Sequence, residues 1–245
     1  MENIKKIADL IQKANSIAIF TGAGISVASG IPDFRSANGL YNQESGFKAT
    51  PEEIISHSFF VKYPLEFYKF YKEKMIYENA TYNEAHKFFA KLEKLNKNIT
   101  VITQNIDGLH SLSGSTNVLE LHGSIHRNYC MKCHKFHDLN SITKNTGIPK
   151  CNCGGTIKPD VVLYEENLDY SVLTKSIDAI SKADLLIVVG TSLIVQPAAS
   201  LVTYFEGEDI VLINKEKTPY DQYASIVIND DVIKVVSQLN PIIYR

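Results

Sequence analysis

Ile4, Ile7, Ala8 and Ile11 recur at three- and four-residue intervals among charged neighbours, so the chain is predicted to open on an amphipathic helix. Residues 17–21 follow as a short apolar run, long enough for a buried strand and too short for a helix, and lead directly into Gly22-Ala23-Gly24. Similar β-branched runs at 99–103, 118–121, 185–189, 210–213 and 226–228 predict five more strands. Helical patterns at 84–95, 170–181, 197–205 and 230–239 lie between several of them. Strands alternating with helices predict an α/β fold: a parallel sheet with helices on both faces. Two stretches break the rhythm. Residues 36–80 are rich in Tyr and Phe, with Pro51 and Pro64 placed to open helices, and their stripe at 67–71 reads as core. Residues 126–156 hold all four cysteines. The expected organisation is therefore a large domain of 1–35, 81–125 and 157–245, with a helical module at 36–80 and a cysteine module at 126–156.

Composition narrows the function classes. Of 245 residues, 44% are hydrophobic and 21% charged, which supports a sizeable core. Lys and Arg number 25 against 27 Asp and Glu, a net charge of −2 that supplies no bulk positive field for nucleic acid or an anionic membrane. The longest apolar run, 185–189, is too short to span a bilayer, and the first ten residues carry Glu2, Lys5, Lys6 and Asp9 in place of a signal-peptide core. A cytoplasmic protein is expected. Only three cations are arginines, which makes Arg35 conspicuous in its glycine- and proline-rich surroundings.

The cysteines fall as Cys130-x-x-Cys133, 17 further residues, then Cys151-x-Cys153. Two close pairs at this separation, with no secretion signal, resemble a zinc ribbon more than a disulfide framework. Four thiolates would close a tetrahedral site, leaving no position for chemistry, so the zinc is expected to be structural. The one-residue spacer of the second pair departs from the usual knuckle, and His134 and His137 stand as reserve ligands.

A strand ending in Gly-x-Gly is suited to bringing backbone N–H groups against a pyrophosphate. Val27 occupies the third glycine position of the full dinucleotide fingerprint, and no acidic residue closes a second strand about 20 positions on. Phosphate binding is therefore expected, and hydride transfer is not.

The run from Gly22 through Ile25-Ser26 and Gly30-Ile31-Pro32-Asp33-Phe34-Arg35 to Ser36 resembles the signature of the sirtuins, NAD-dependent protein-lysine deacylases. Thr103-Gln-Asn-Ile-Asp-Gly-Leu-His110, Glu120-Leu-His-Gly-Ser124, Gly190-Thr-Ser-Leu193 and Asn214 resemble further family blocks in the right order. The likeness covers essentially residues 1–240 and is closest in kind to compact bacterial and archaeal members.

This resemblance implies a Rossmann-like large domain, a small lobe made of the zinc and helical modules, and NAD between them. It implies that Gly22, Ala23 and Gly24 approach the pyrophosphate, with Val27 beside the cofactor. Asp33, Phe34 and Arg35 would close over ribose and nicotinamide. Gln104 and Asn105 would contact ribose, and Ile106 and Asp107 would hold nicotinamide, with Asp107 also suited to capping the next helix. Gly190, Thr191, Ser192, Asn214, Lys215 and Val232 would line the adenosine side. His122 would be the general base and Asn105 its catalytic companion; an imidazole suits the role because its ordinary pKa lies near neutrality. His110, His126, His134 and His137 are expected to be non-catalytic. The products implied are free lysine, nicotinamide and O-acetyl-ADP-ribose, with structural zinc on Cys130, Cys133, Cys151 and Cys153.

The implied substrate is an acetyl-lysine protein or peptide, added as a strand beside Val162 and Tyr164, with Val195 completing the acyl-lysine tunnel. The family's Phe-Gly-Glu loop is here Tyr164-Glu165-Glu166, which sets Glu165 where a glycine supplies positive φ; its charge is expected to favour basic peptides. Members that remove succinyl groups pair Tyr with Arg three residues on. Here Tyr71 follows Tyr68, so neutral acyl groups are expected. The competing readings are a protein mono-ADP-ribosyltransferase and a non-catalytic sensor of NAD or ADP-ribose.

Overall fold

The computed structural model describes residues 2–36, 39–42 and 49–244, so residues 37, 38 and 43–48 of the expected helical module lie outside the described residues. Among the described residues there are nine strands: β1 (Ser16–Thr21), β2 (Asn98–Thr103), β3 (Val118–Glu120), β4 (Gly123–Cys130), β5 (Phe136–His137), β6 (Ile157–Val161), β7 (Leu185–Val189), β8 (Asp209–Ile213) and β9 (Ile226–Ile228). Side chains alternate across β1: Ile17 and Ile19 pack into one apolar cluster, Ala18 and Phe20 into another. A strand buried on both faces needs cover on both, and parallel pairing with helical crossovers supplies it. The outcome is a six-stranded parallel sheet of order β3-β2-β1-β7-β8-β9.

Helices α1 (Glu2–Lys13), α5 (Glu84–Leu92) and α9 (Val232–Ile243) cover one face through Ile7, Phe88, Leu92, Val235 and Leu239. The other face is covered by α8 (Tyr170–Ser181) and by a 3₁₀ segment, Ala198–Tyr204. That segment was expected as an ordinary helix. The final helix runs beyond the expected 239 to Ile243, with Pro241 in its last turn.

The remaining elements form a smaller lobe. Helices α2 (Pro51–Ile54), α3 (His57–Lys62) and α4 (Pro64–Phe70) are held by side-chain caps from Thr50 and Ser56 and by prolines that open α2 and α4. Phe67, Tyr68, Phe70 and Tyr71 are buried here as the expected core stripe. A wider π-turn, Tyr71–Met75, follows α4. Short helix α7 (Asn140–Thr143) completes this lobe, while short helix α6 (Leu109–Leu112) packs on the large one, its His110 against His86 of α5. Strands β5-β4-β6 make a second, antiparallel sheet that the hydrophobic pattern had not signalled. Arg127 on β4 joins the sheets, pairing with Glu120 at the end of β3 and with Asp160 on β6. Among the described residues, no helix is long and apolar enough to cross a membrane.

Candidate active site and metal centre

The parallel sheet reverses its winding between β1 and β7, and ligands of open α/β sheets bind outside the carboxyl ends of strands at such a point. The two turns that leave these strands are packed backbone on backbone. Gly24 N–H donates to the Gly190 carbonyl at 2.8 Å. A Cβ on Gly24 would fall 2.8 Å from Gly190 Cα, and one on Gly190, whose φ is +60°, would fall 2.6 Å from Ile25 N. Both glycines are therefore demanded by turn-on-turn packing before any ligand is considered.

The turn after β2 adds the polar groups. Gln104 reaches Thr191 Oγ1 at 2.9 Å, tying this turn to that of β7. Asn105 is buried, and its amide nitrogen donates to Gly22 O at 3.2 Å and Ser26 Oγ at 3.1 Å, which leaves its amide oxygen as the group offered to a ligand. Asp107 accepts from Ser26 Oγ at 2.7 Å and from the N–H of Leu109, the first residue of α6, at 2.9 Å, so it holds the start of that helix from one residue before the N-cap, which is Gly108. Burial raises the Asp107 carboxyl above the usual carboxylate range, opposed by these two hydrogen bonds. His110 packs beneath the glycine turn with Nε2 3.0 Å from Thr21 Oγ1, and burial holds its pKa well below the ordinary value.

His122 follows β3. Its Nδ1 lies 2.8 Å from the Gln104 carbonyl oxygen, and a carbonyl only accepts, so Nδ1 carries the proton and Nε2 keeps its lone pair. Burial lowers the His122 pKa, only partly countered by that hydrogen bond. Its backbone is fixed as well, because Val162 N–H donates to the His122 carbonyl at 3.0 Å. The neighbouring Gly123 has φ +76°, and a Cβ there would collide with the Asp160 carbonyl. This glycine thus serves β4–β6 pairing, a stronger reason than room for a ligand.

A cavity of 220 Å³ opens between the two lobes. Its wall brings together eleven of the expected residues: Ala23, Phe34 and Arg35; Gln104, Asn105, Ile106 and Asp107; His122; and Val162, Tyr164 and Val195. The others lie outside that wall. Gly22, Gly24, Gly190, Thr191 and Ser192 form the packed turns, Asp33 accepts from Ser36 N–H, and Val27 is exposed. Asn214 Nδ2 donates to the Glu216 carbonyl, Lys215 pairs with Asp231, and Val232 is buried at the start of α9. Sequence reasoning missed Ser26, Tyr41, Lys74, Met75 and Tyr77, which also line the cavity, as does Tyr71. Tyr71, expected as core and as the residue standing in place of an acyl-pairing Arg, is both buried and part of the cavity wall.

Above the cavity, Tyr164 OH meets Tyr41 OH at 3.0 Å and accepts from Arg35 Nη2 at 3.4 Å. The segment after the glycine turn is thereby closed against the 162–166 loop. A cleft at the winding reversal, with an amide, a carboxyl and an imidazole on one wall, fits a dinucleotide: Ala23, Phe34, Arg35 and the 104–107 turn would hold it.

The four cysteine sulfurs lie within 4.8 Å of one another, with Cys130–Cys153 at 3.4 Å and Cys133–Cys151 at 3.7 Å. Tetrahedral zinc with Zn–S of 2.3 Å would set sulfurs about 3.8 Å apart, so the thiols fit that ion. N–H groups of Cys133 and Lys132 point at Cys130 Sγ, and these hydrogen bonds bring its pKa down to about 6 against the opposing effect of burial. Gly155 lets the strands approach, since a Cβ there would sit 2.6 Å from that sulfur. His134 and His137 lie outside the cluster.

The model of the Sir2 family matches residues 22–197. A protein of Clostridium perfringens named NAD-dependent protein deacetylase is 55% identical over 97% of this chain and 98% of its own length. A protein of the same name from Staphylococcus aureus is 43% identical, over 97% and 98%. Among solved structures, a Sir2 complex with deacetylated p53 peptide and 3′-O-acetyl-ADP-ribose superposes with a TM-score of 0.89 at 37% identity, covering 97% of each chain. A Sir2–p53 peptide–NAD+ complex gives 0.85 at 38% identity with the same coverage.

Proposed function

The chain belongs to the Sir2 family, and we propose that it is an NAD-dependent protein-lysine deacetylase whose base is His122. The observation that carries the assignment of the base is the His122 tautomer: Nδ1–H is committed to the Gln104 carbonyl, so the lone pair of Nε2 is free in the cavity shared with Phe34 and Asp107. NAD supplies the glycosidic carbon that receives the acyl oxygen, with nicotinamide as leaving group. This chain's residues do the rest. His122 takes a proton from a ribose hydroxyl and is neutral at neutral pH because burial holds its pKa down. Asn105 offers its amide oxygen to ribose, and Asp107, kept in place by Ser26, faces the nicotinamide side. Phe34 and Arg35, held through Tyr41 and Tyr164, exclude water from the reacting centre. Val162, Tyr164 and Val195 guide the acetyl-lysine, and Gly22, Gly24, Val27, Asp33, Gly190, Thr191, Ser192, Asn214, Lys215 and Val232 serve the rest of the dinucleotide.

The four cysteines hold zinc as a staple of the small lobe, away from the chemistry. Four free thiols suit a reducing cytoplasm, and the lobes divide the work: 1–35, 81–122 and 162–245 for the dinucleotide, and 36–80 with 123–161 for closure and support, because β6 pairs with β4 and extends the small lobe beyond the expected 126–156. The test is nicotinamide release from NAD with and without an acetyl-lysine peptide. Release that requires the peptide, with equal deacetylated peptide, is expected. A peptide that gains the mass of ADP-ribose would assign transferase chemistry, and NAD binding without turnover would assign a sensor.

A further inference from the structure

Glu165 holds a backbone conformation that residues with a Cβ avoid: its φ is +74°. Both of its carboxylate oxygens accept from one residue. Ser58 N–H donates to Oε2 at 2.9 Å and Ser58 Oγ–H donates to Oε1 at 3.0 Å. Ser58 lies in the first turn of α3, so the carboxylate also satisfies an N–H that has no partner within the helix. The residues on either side are fastened to the same elements. Tyr164 N–H donates to the Ile55 carbonyl at 3.1 Å, and His57 N–H donates to the Tyr164 carbonyl at 3.0 Å. Glu166 bridges His57 Nδ1 at 2.8 Å and Lys158 Nζ at 3.0 Å. Upstream, Val162 is bonded to the backbone of His122.

We infer that Glu165 is a positioning residue: its carboxylate, clamped on Ser58, holds the 162–166 loop in the conformation that receives the acyl-lysine strand. The inference rests on the deacetylase reading. It is an alternative to the sequence-based expectation that the charge selects basic peptides: the carboxylate is directed at Ser58 of this chain, so its work is done on the loop. A left-handed backbone is populated by non-glycine residues only when the surroundings over-determine it, and two charge-assisted hydrogen bonds to one residue do so here. Without them the loop relaxes, and the substrate meets a protein whose competent form is a minor fraction.

The experiment uses the full chain with NAD and one acetyl-lysine peptide. Glu165→Ala keeps a Cβ and loses the clamp, so the peptide KM is expected to rise roughly 5- to 30-fold, the population cost of positive φ. The NAD KM and kcat are expected to stay within about two-fold of the parent, the pattern of lost substrate-strand binding alone. Glu165→Gly loses the clamp but restores access to positive φ, so its KM should fall between the parent and Glu165→Ala. Ser58→Ala, which retains the backbone donor, should also be intermediate. Peptides that differ only in flanking Lys or Asp should react alike with the parent. The inference is overturned if Glu165→Ala leaves the peptide KM unchanged, if Glu165→Gly is as impaired as Glu165→Ala, or if Lys-flanked peptides are favoured and Glu165→Gln abolishes that preference. A parent chain that deacetylates nothing would sink the deacetylase reading; an active parent with an unaffected Glu165→Ala would sink the clamp alone.

Discussion

Gly190→Ala should destabilise the protein in the absence of any nucleotide. Gly190 has φ +60°, and an added Cβ would meet Ile25 N at 2.6 Å and the Gly24 carbonyl carbon at 2.8 Å, both backbone atoms that no rotamer change can clear. The left-handed backbone costs a residue with Cβ about 1–2 kcal/mol. Parting the turns also forfeits the Gly24 N–H to Gly190 carbonyl bond, worth about 1 kcal/mol, and disturbs the packing around it. The two terms total about 2–3 kcal/mol before the disturbed packing is added, which for a chain of this size lowers Tm by at least roughly 4–12 °C. Gly30→Ala is the internal control. Gly30 shares the positive φ, at +84°, but has nothing within 4 Å of its Cβ position, so only the backbone cost of about 1–2 kcal/mol remains. Thermal and urea unfolding of both variants, without NAD, measures the difference. A Gly190→Ala protein as stable as Gly30→Ala, yet unable to bind NAD, would refute the reasoning and return the glycine to the ligand.

Other consequences follow from single groups. Tyr71 OH is buried with no partner among the described residues, so Tyr71→Phe should leave stability unchanged or raise it by up to about 1 kcal/mol in urea unfolding; a clear loss would mean that the hydroxyl is satisfied. His122 serves as base only when neutral, and burial lowers its pKa, so activity should fail as pH drops through a value below 6.5; an acid limb centred above 6.5 in kcat/KM would contradict this. Metal analysis should find one zinc per chain, and its removal by a chelator should loosen the small lobe, read as faster amide exchange in residues 124–161; unchanged exchange would deny the staple. Acetyl peptides should outpace succinyl peptides, because Tyr71 stands where a bidentate cation would be needed; equal rates would contradict that.

The parallel sheet was legible almost to the residue: 185–189 and 226–228 coincide with β7 and β9, and the other four strands differ only at an end. Strands buried on both faces must be apolar throughout, so they leave a dense mark in the sequence. Strands β4 and β6 left none, since Gly123–Cys130 carries His126, Arg127 and Asn128, and its pairing leans on Arg127 and the cysteine cluster. The glycine turn, Gln104–Asp107, His122 and the cysteines could be found because fixed residue types recur at fixed spacing. Lys74, Met75 and Tyr77 could not. They reach the cavity only through the π-turn after α4 and the docking of one lobe on the other, neither of which a local pattern encodes.

The most direct test compares the parent with His122→Ala on NAD and an acetyl-lysine peptide, following products by mass spectrometry with NAD binding and folding checked for both. The account predicts O-acetyl-ADP-ribose and free lysine peptide in equal amounts from the parent, and loss of both from a variant that still folds and binds NAD. O-acetyl-ADP-ribose formed at an undiminished rate by His122→Ala would contradict the central claim.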